Sequence, residues 1–191
     1  MYNHKDLELK PVSSVKVGDV VLYKPLPPDY STLRSIFTTL MSIIITFVTR
    51  SRYNHASLVK SVNKSSIYIT EAHLETGVVT KLLNPKWYDS IVFMTFSSSM
   101  VRDDAAIWWD NQCGSKYDSV AAFLSGVLSF FRVFRKLQLP FDCKNKFFCS
   151  NGIALGFNKH SVPISKVHVS QCCPGDIFRF KKHAHRIYRI Q

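Results

Sequence analysis

The sequence predicts an α+β fold in which a small antiparallel sheet, or half-barrel, packs against helices. Segments rich in β-branched residues gather in the middle of the chain, and segments with helical apolar spacing lie in separate blocks around them. The 191 residues are 46% hydrophobic and contain no repeat or linker tract, so we expect a single domain over residues 1–191 with its own core.

The first elements are a strand and an apolar helix. Residues 15–23 predict a strand that is fed by a turn at Gly18-Asp19 and ended by prolines after residue 24. Apolar residues then recur at helical spacing from Ser31 or Thr32 through Val48, which predicts a helical insertion at about residues 31–49. The sequence leaves open whether its 35–48 segment is buried in the core or lies at the surface of an anionic membrane.

The remaining elements follow in blocks. Strands at 55–62, 67–72, 78–82 and 91–96 predict an antiparallel meander. Helices are predicted at 103–112, at 119–134 with Asp118 as cap, and from about 148 to 158. Alternating residues at 176–180 and 186–190 predict two final strands.

Charge and cysteine content limit the classes of partner. The net charge of +12 favours anionic polymers or membrane surfaces, but the basic residues are scattered, so we do not expect dedicated nucleic-acid binding. The N-terminus lacks a secretory signal and no apolar run reaches bilayer length, which predicts cytoplasmic synthesis without a membrane span. The spacing of the cysteines is not that of a zinc site. His183 and His185 alternate in the predicted C-terminal strand and could in principle bind a metal, but no cysteine or acidic ligand is near them, so no metal or cofactor is expected.

Cys149 is the candidate nucleophile. It lies at the predicted start of a helix, where the backbone N–H groups favour the thiolate, the reactive form of cysteine. A cysteine nucleophile needs a base that is close in space, and His55 at the start of a strand can supply one. The alternative for both residues is a structural role, as a buried thiol and a hydrogen-bonded histidine.

Three polar residues at alternate positions, Glu71, His73 and Glu75, could orient the His55 ring, and Glu71 is the best placed of them. If strands 55–62 and 67–72 form a hairpin, the two side chains share a face only when the numbers of paired residues have an even sum. A four-residue connection that pairs Val62 with Ile67 would put His55 and Glu71 on opposite faces. The alternative for Glu71 is a solvated strand residue.

Short motifs also occur in a recognisable order between residues 15 and 180. They are Val17-Gly18-Asp19-Val20-Val21, the segment 49–59 around His55, Ile69-Thr70-Glu71-Ala72, Val78-Val79, Val101-Arg102, Lys116-Tyr117-Asp118, Phe148-Cys149-Ser150 and Pro174-Gly175-Asp176-Ile177. In this order the chain resembles the circularly permuted papain-like hydrolases: the NlpC-type cell-wall amidase and peptidase superfamily, its YiiX-like branch and the lecithin:retinol acyltransferase relatives.

The resemblance implies a permuted papain-like cysteine hydrolase that needs no cofactor. Cys149 would be the nucleophile, His55 the base, Glu71 the orienting residue, and Tyr117 a pocket or oxyanion residue. Asn151 departs from the acidic residue that the YiiX-like branch tends to carry there. The implied substrates are peptide or isopeptide bonds, including cell-wall stem peptides, and acyl lipids; access to a wall would need a route such as a phage or viral particle.

Two other functions remain open from the sequence. One is a non-catalytic binding or structural module of the same fold that uses its basic surface for nucleic acid or an assembly partner. The other is a membrane-surface lipid acyltransferase, for which the apolar 35–48 segment would provide the membrane contact.

Overall fold

The computed structural model describes residues 7–25, 42–43, 45–47, 49–64, 66–130 and 146–191. Within these ranges a seven-stranded sheet packs against helices, which confirms the α+β prediction, and two further strands form a small pair. The strands are β1 (Leu9–Lys10), β2 (Val20–Tyr23), β3 (His55–Asn63), β4 (Ser66–His73), β5 (Gly77–Leu82), β6 (Ile91–Thr95), β7 (Lys116–Tyr117), β8 (Lys146–Phe147) and β9 (Arg186–Ile190). The helices are α1 (Ser99–Asp110), α2 (Ser119–Phe130), α3 (Cys149–Asn158) and α4 (Pro174–Arg179), with 3-10 turns at Val12–Ser14, Pro85–Ser90, Val169–Gln171 and Lys181–His183.

The order of strands in the large sheet is β1-β9-β6-β2-β3-β4-β5. β1 runs parallel to β9 and the other neighbours are antiparallel, so the sheet is mixed rather than wholly antiparallel. The predicted meander is confirmed for β3, β4 and β5, but β6 pairs with β2 and β9 instead of β5. β6 is buried along its whole length and therefore suits a central position, whereas the half-exposed β5 suits an edge.

Each face of the sheet carries its own buried cluster. One face packs against α1 and α3 through residues such as Leu58, Trp109 and Ile153. The opposite face holds Val21, Ile69 and Phe93, with Trp87 and Tyr88 of the 3-10 turn packed against them. Side chains alternate between the two faces along each strand, so the register decides which residues meet on which face.

Residues 176–179 belong to helix α4, with Phe180 at its C-cap, which corrects the strand predicted at 176–180. Pro174 occupies the first turn of α4, and the carboxylate of Asp176 reaches back to the backbone N–H of Cys173 at 3.1 Å. Arg179 then pairs with Asp176 one turn along, at 2.9 Å. These capping interactions outweigh the apolar alternation that suggested a strand. His183 and His185 accordingly precede β9 rather than lying in it.

Two element starts also differ from the prediction. α1 begins at Ser99 rather than Asp103. Ser97 takes a positive φ of 64°, and the carbonyl of the N-cap residue Ser98 accepts the N–H of Arg102 at 3.2 Å. β2 begins only at Val20, after a turn in which Gly18 has φ 74°. Asp118 caps α2 as predicted, since its Oδ1 accepts the N–H of Ala121 at 2.9 Å.

The predicted helix from residue 31 to 48 lies mostly outside the described residues. The described positions from 42 to 47, together with Thr49, are helical. Among them Ile43 is 49% exposed and Phe47 is 73% exposed, so these two side chains are not core residues. Of the helices in the described ranges, none combines the length and the apolar character needed to cross a bilayer. The end of the predicted helix 119–134 likewise falls beyond the described part of α2.

Candidate functional site

Cys149 is the first residue of α3, as the sequence predicts. The backbone N–H of the preceding Phe148 donates to Asn151 Oδ1 at 2.8 Å, so the asparagine caps the turn that presents the thiol. The side chain is nearly buried, and its sulfur accepts a hydrogen bond from the backbone N–H of Ala56 in β3. The start of α3 therefore lies against the start of β3.

Gly152 allows α3 to approach this closely. A Cβ atom at Gly152 would lie 2.3 Å from the Trp109 ring, which is closer than any side chain permits. Trp109 is itself fixed, since its Nε1 donates to the carbonyl of Thr70 in β4 at 3.1 Å. The indole of α1 thus sets the distance between the cysteine helix and the sheet.

His55 is the first residue of β3 and lies beside Cys149. Its Nε2 is 2.9 Å from Glu71 Oε2, and its side chain is 26% exposed. A hydrogen bond also links His55 to the Cys149 sulfur. Because Nε2 is engaged with Glu71, Nδ1 is the ring nitrogen available to the thiol. The imidazole therefore bridges the thiol and the carboxylate.

A β-bulge puts His55 and Glu71 on the same face. Near the turn Val62 pairs with Ile67, the register that would separate the two side chains. The register then shifts between Val59 and Ser61, and Leu58 pairs with Thr70, so the numbers of paired residues change from an odd to an even sum. The extra residue in β3 thereby brings the histidine and the carboxylate together.

Glu71 is a buried carboxylate held by two cations. Its Oε2 faces His55, its Oε1 contacts Lys81 Nζ, and its side chain is only 2% exposed. Burial raises the pKa of Glu71, but the positive charges of His55 and Lys81 outweigh burial and lower it to about 2. Glu71 is therefore ionised at neutral pH.

The charges around Cys149 and His55 favour the thiolate of the former and the imidazolium of the latter. Burial lowers the pKa of His55, yet the negative charges of Glu71 and then of Cys149 raise it to about 10. Burial likewise raises the pKa of Cys149, but the charge and hydrogen bond of His55 bring it below the ordinary thiol value. In contrast, burial raises the pKa of Cys172 well above that value. Two buried thiols in one protein thus have opposite tendencies to ionise.

Tyr117 lies close to the thiol. β7 runs parallel to β8, pairing Tyr117 with Phe147 two residues before Cys149. Burial, followed by the negative charge of Cys149, raises the pKa of the phenol, so its hydroxyl stays protonated and able to donate a hydrogen bond. The structure thus brings together all four residues that the sequence singled out, while their chemical roles stay predictions.

Three residues of this region were missed by the sequence analysis: Lys81, Trp87 and Tyr23. The Tyr23 ring packs on His55 with 5.2 Å between ring centroids, and the edge of Trp87 meets Tyr23 at 6.0 Å. Lys81 could have been found from strand alternation, because a hairpin that pairs Ile69 with Lys81 puts Lys81 on the face of Glu71. Trp87 carries no such signal, since its contacts depend on the fold of the 3-10 turn, and Tyr23 meets His55 only through the long-range pairing of β2 with β3.

No cluster of three or more histidine, cysteine or acidic side chains in the described ranges is arranged to hold a metal ion. Comparison with known proteins gives no match to a family model or to a curated protein. The chemistry of the site therefore has to be argued from its geometry. A low-pKa thiol, an oriented imidazole and a nearby phenol are groups suited to nucleophilic attack on a carbonyl carbon.

Proposed function

We propose that this protein is a cysteine hydrolase of the permuted papain-like type, which cleaves an amide or ester through an acyl-thioester on Cys149. The observation that carries the proposal is the continuous contact from the buried thiol of Cys149 through His55 to Glu71, with Nε2 and Oε2 2.9 Å apart. The order of His55, Glu71 and Cys149 along the chain, and the packing of α3 on β3, support the permuted arrangement.

Acylation follows from these positions. The Cys149 thiolate attacks the carbonyl carbon, and the carbonyl π electrons move to oxygen to give a tetrahedral oxyanion. As the first residue of α3, Cys149 has a backbone N–H without an intrahelical acceptor, and this group and the Tyr117 hydroxyl are the candidate donors to the oxyanion. His55 then gives its proton to the leaving amine or alcohol as the C–N or C–O bond breaks.

In deacylation His55 accepts a proton, whereas in acylation it donates one. Neutral His55 takes a proton from water as the water oxygen attacks the thioester, and the C–S bond then breaks to release a carboxylic acid and the thiolate. Glu71 stabilises the imidazolium in both steps and fixes the ring through Nε2. Replacing water by an acceptor alcohol or amine would make the same site an acyltransferase.

The substrate classes we propose are peptide or isopeptide bonds, cell-wall stem peptides among them, and acyl lipids. The net charge of +12 supports a substrate on an anionic polymer or membrane surface. The exposed Ile43 and Phe47 are compatible with the lipid alternative, since apolar side chains beside basic ones suit a membrane interface.

The deciding experiment is the pH profile of iodoacetamide alkylation at each cysteine, read by mass spectrometry. We expect Cys149 to react faster near pH 7 than the exposed Cys113, although Cys149 is nearly buried, and to slow at least tenfold in His55→Ala. His160→Ala is the matched control, because His160 also faces a carboxylate, Asp104 at 3.8 Å, but lies beyond the far end of α3.

A second measurement tests the chemistry itself. Incubation with p-nitrophenyl acetate should add one acetyl group to Cys149, and the adduct should be absent in Cys149→Ser. If Cys149 is alkylated no faster than Cys113, or is indifferent to His55, the hydrolase proposal fails and a non-catalytic binding module becomes the better interpretation.

A further inference from the structure

Glu71 has a second cationic partner that the proposed reaction does not use. Lys81 lies on β5, opposite Ile69 of β4, and its Nζ contacts Glu71 Oε1. The two carboxylate oxygens are therefore divided, with Oε2 toward His55 and Oε1 toward Lys81. The Lys81 side chain is 37% exposed, whereas the carboxylate it meets is 2% exposed.

The position of Lys81 is itself fixed by an aromatic pair. Its Nζ lies 5.3 Å from the centre of the Trp87 ring, a cation–π distance. Trp87 meets Tyr23 edge-on, and Tyr23 packs against His55. His55, Glu71, Lys81, Trp87 and Tyr23 thus form a closed ring of contacts on one face of the sheet, which we call the side-chain ring.

We infer that Lys81 is a positioning residue of the site, which holds Glu71 ionised and turned toward His55; this rests on the proposed function. A buried carboxylate with one cation at each oxygen has a single favourable orientation, because rotation would break both contacts. The positive charge of Lys81 also offsets part of the negative electrostatic potential that Glu71 exerts at the Cys149 thiolate and the His55 imidazolium.

The groups that face Glu71 in the described ranges come from several elements. They are Tyr23 on β2, His55 on β3, His73 two residues along β4 on the same face, Lys81 on β5 and, through His55, Cys149 on α3. Removing the positive charge of Lys81 makes proton loss harder for Glu71, His55 and Cys149 alike. The midpoints of their titrations should therefore all move to higher pH.

The test is Lys81→Met, with Lys81→Arg as the conservative variant. Lys159→Met is the matched control, because Lys159 Nζ also lies 5.3 Å from the centre of an indole ring, that of Trp108, but follows the far end of α3 from Cys149. Carbon-detected NMR of labelled glutamate follows the Glu71 carboxyl, ring NMR follows His55, and alkylation follows Cys149. Each profile is also recorded in His73→Gln, which removes the neighbouring titrating ring.

We expect Lys81→Met to raise the midpoints of Glu71 and His55, and that of Cys149 alkylation, by about one pH unit. Lys81→Arg and Lys159→Met should keep the wild-type midpoints. In Glu71→Gln, the further change of Lys81 to Met should shift the midpoints of His55 and of Cys149 alkylation much less. Unchanged Glu71 and His55 midpoints in Lys81→Met would overturn the inference, even if Cys149 remains selectively reactive. Shifted midpoints with an unreactive Cys149 would instead uphold the contact and refute the hydrolase.

Discussion

Two buried carboxylates, Asp19 just before β2 and Glu71 on β4, lie in different surroundings. Asp19 is fully buried; its Oδ2 accepts the Tyr188 hydroxyl at 2.6 Å and the Lys16 N–H at 3.0 Å, and its Oδ1 is 3.7 Å from the Arg102 guanidinium. Its partners come from β9, the turn before β2, and α1, so the carboxylate joins three parts of the fold.

Glu71 is equally buried, but its side-chain partners are more exposed than Arg102 and Tyr188, the side-chain partners of Asp19. His55 and Lys81 are each partly exposed, and His55 also touches a thiol. A carboxylate with buried partners contributes to stability, whereas one between partly exposed cations can tune the proton affinity of a group that solvent and substrate reach. Burial alone therefore does not distinguish these two carboxylates; the exposure of their side-chain partners does.

The largest effect on stability should come from Asp19→Ala. This change leaves the Arg102 guanidinium, whose side chain is 10% exposed, without its carboxylate and removes an acceptor from Tyr188. We expect the free energy of unfolding in urea to fall by about 3 kcal/mol, and by less in Asp19→Asn, which keeps an acceptor oxygen. The midpoint of Cys149 alkylation should not move in the folded variant. A clear shift would show that Asp19, like Glu71, affects the ionisation of Cys149.

Glu71→Gln should affect Cys149 alkylation more than it affects stability. Without the Glu71 charge the imidazolium is less stable, so the pair loses thiolate at pH 7 and Cys149 alkylation should fall about tenfold. The free energy of unfolding in urea should fall by less than it does in Asp19→Ala. Asp110→Asn is the control, because Asp110 also pairs with a lysine on this sheet, and it should leave Cys149 alkylation unchanged. Equal rates of Cys149 alkylation in wild type and Glu71→Gln would show that Glu71 does not affect the thiol.

The smallest effect is the pH dependence of stability. The pKa of Glu71 is lowered to about 2, so its contribution is present above its ordinary value of 4.5 and is lost as the pH falls toward 2. The pKa of His55 is raised from 6.5 to about 10, so its contribution is present below pH 6.5 and is lost as the pH rises toward 10.

Urea titrations of wild type and Glu71→Gln at several pH values measure this pH dependence of stability. The stability difference should be largest between pH 5 and 6.5 and shrink on both sides, with a maximum of about 1 kcal/mol because His55 and Lys81 are partly exposed. A difference that stays constant from pH 3 to 9.5 would show that Glu71 contributes by packing rather than by its charge.

Much of the sheet and the start of α3 could be predicted from sequence, because β-branched runs and helical spacing are local signals. Cys149 and His55 were found because nucleophile and base chemistry restricts the residue types. The helix at Pro174–Arg179 was predicted as a strand because its capping contacts compete with apolar alternation over only six residues. The partner of β6 was predicted wrongly because strand pairing depends on long-range packing rather than on the chain order.

The meeting of His55 with Glu71 could not be settled from sequence, since a bulge leaves no distinctive residue pattern at Lys60. Val62 and Ile67 do pair, so the register near the turn is the one that separates the two side chains. Only the register shift between Val59 and Ser61 puts His55 and Glu71 on the same face. Lys81 is a different case, because pairing the predicted strands 67–72 and 78–82 end to end already puts it on the face of Glu71.

The bulge also divides the β3–β4 hairpin into two parts that should tolerate insertions and deletions differently. Extra residues at the turn beyond Asn63 can be taken up as loop, because the pairing on either side is unaffected. One extra or missing residue between the bulge and His55 would instead turn the imidazole to the opposite face, away from Glu71. Among related sequences, length variation in this hairpin should therefore collect at its tip, and the spacing from the bulge to the histidine should stay constant.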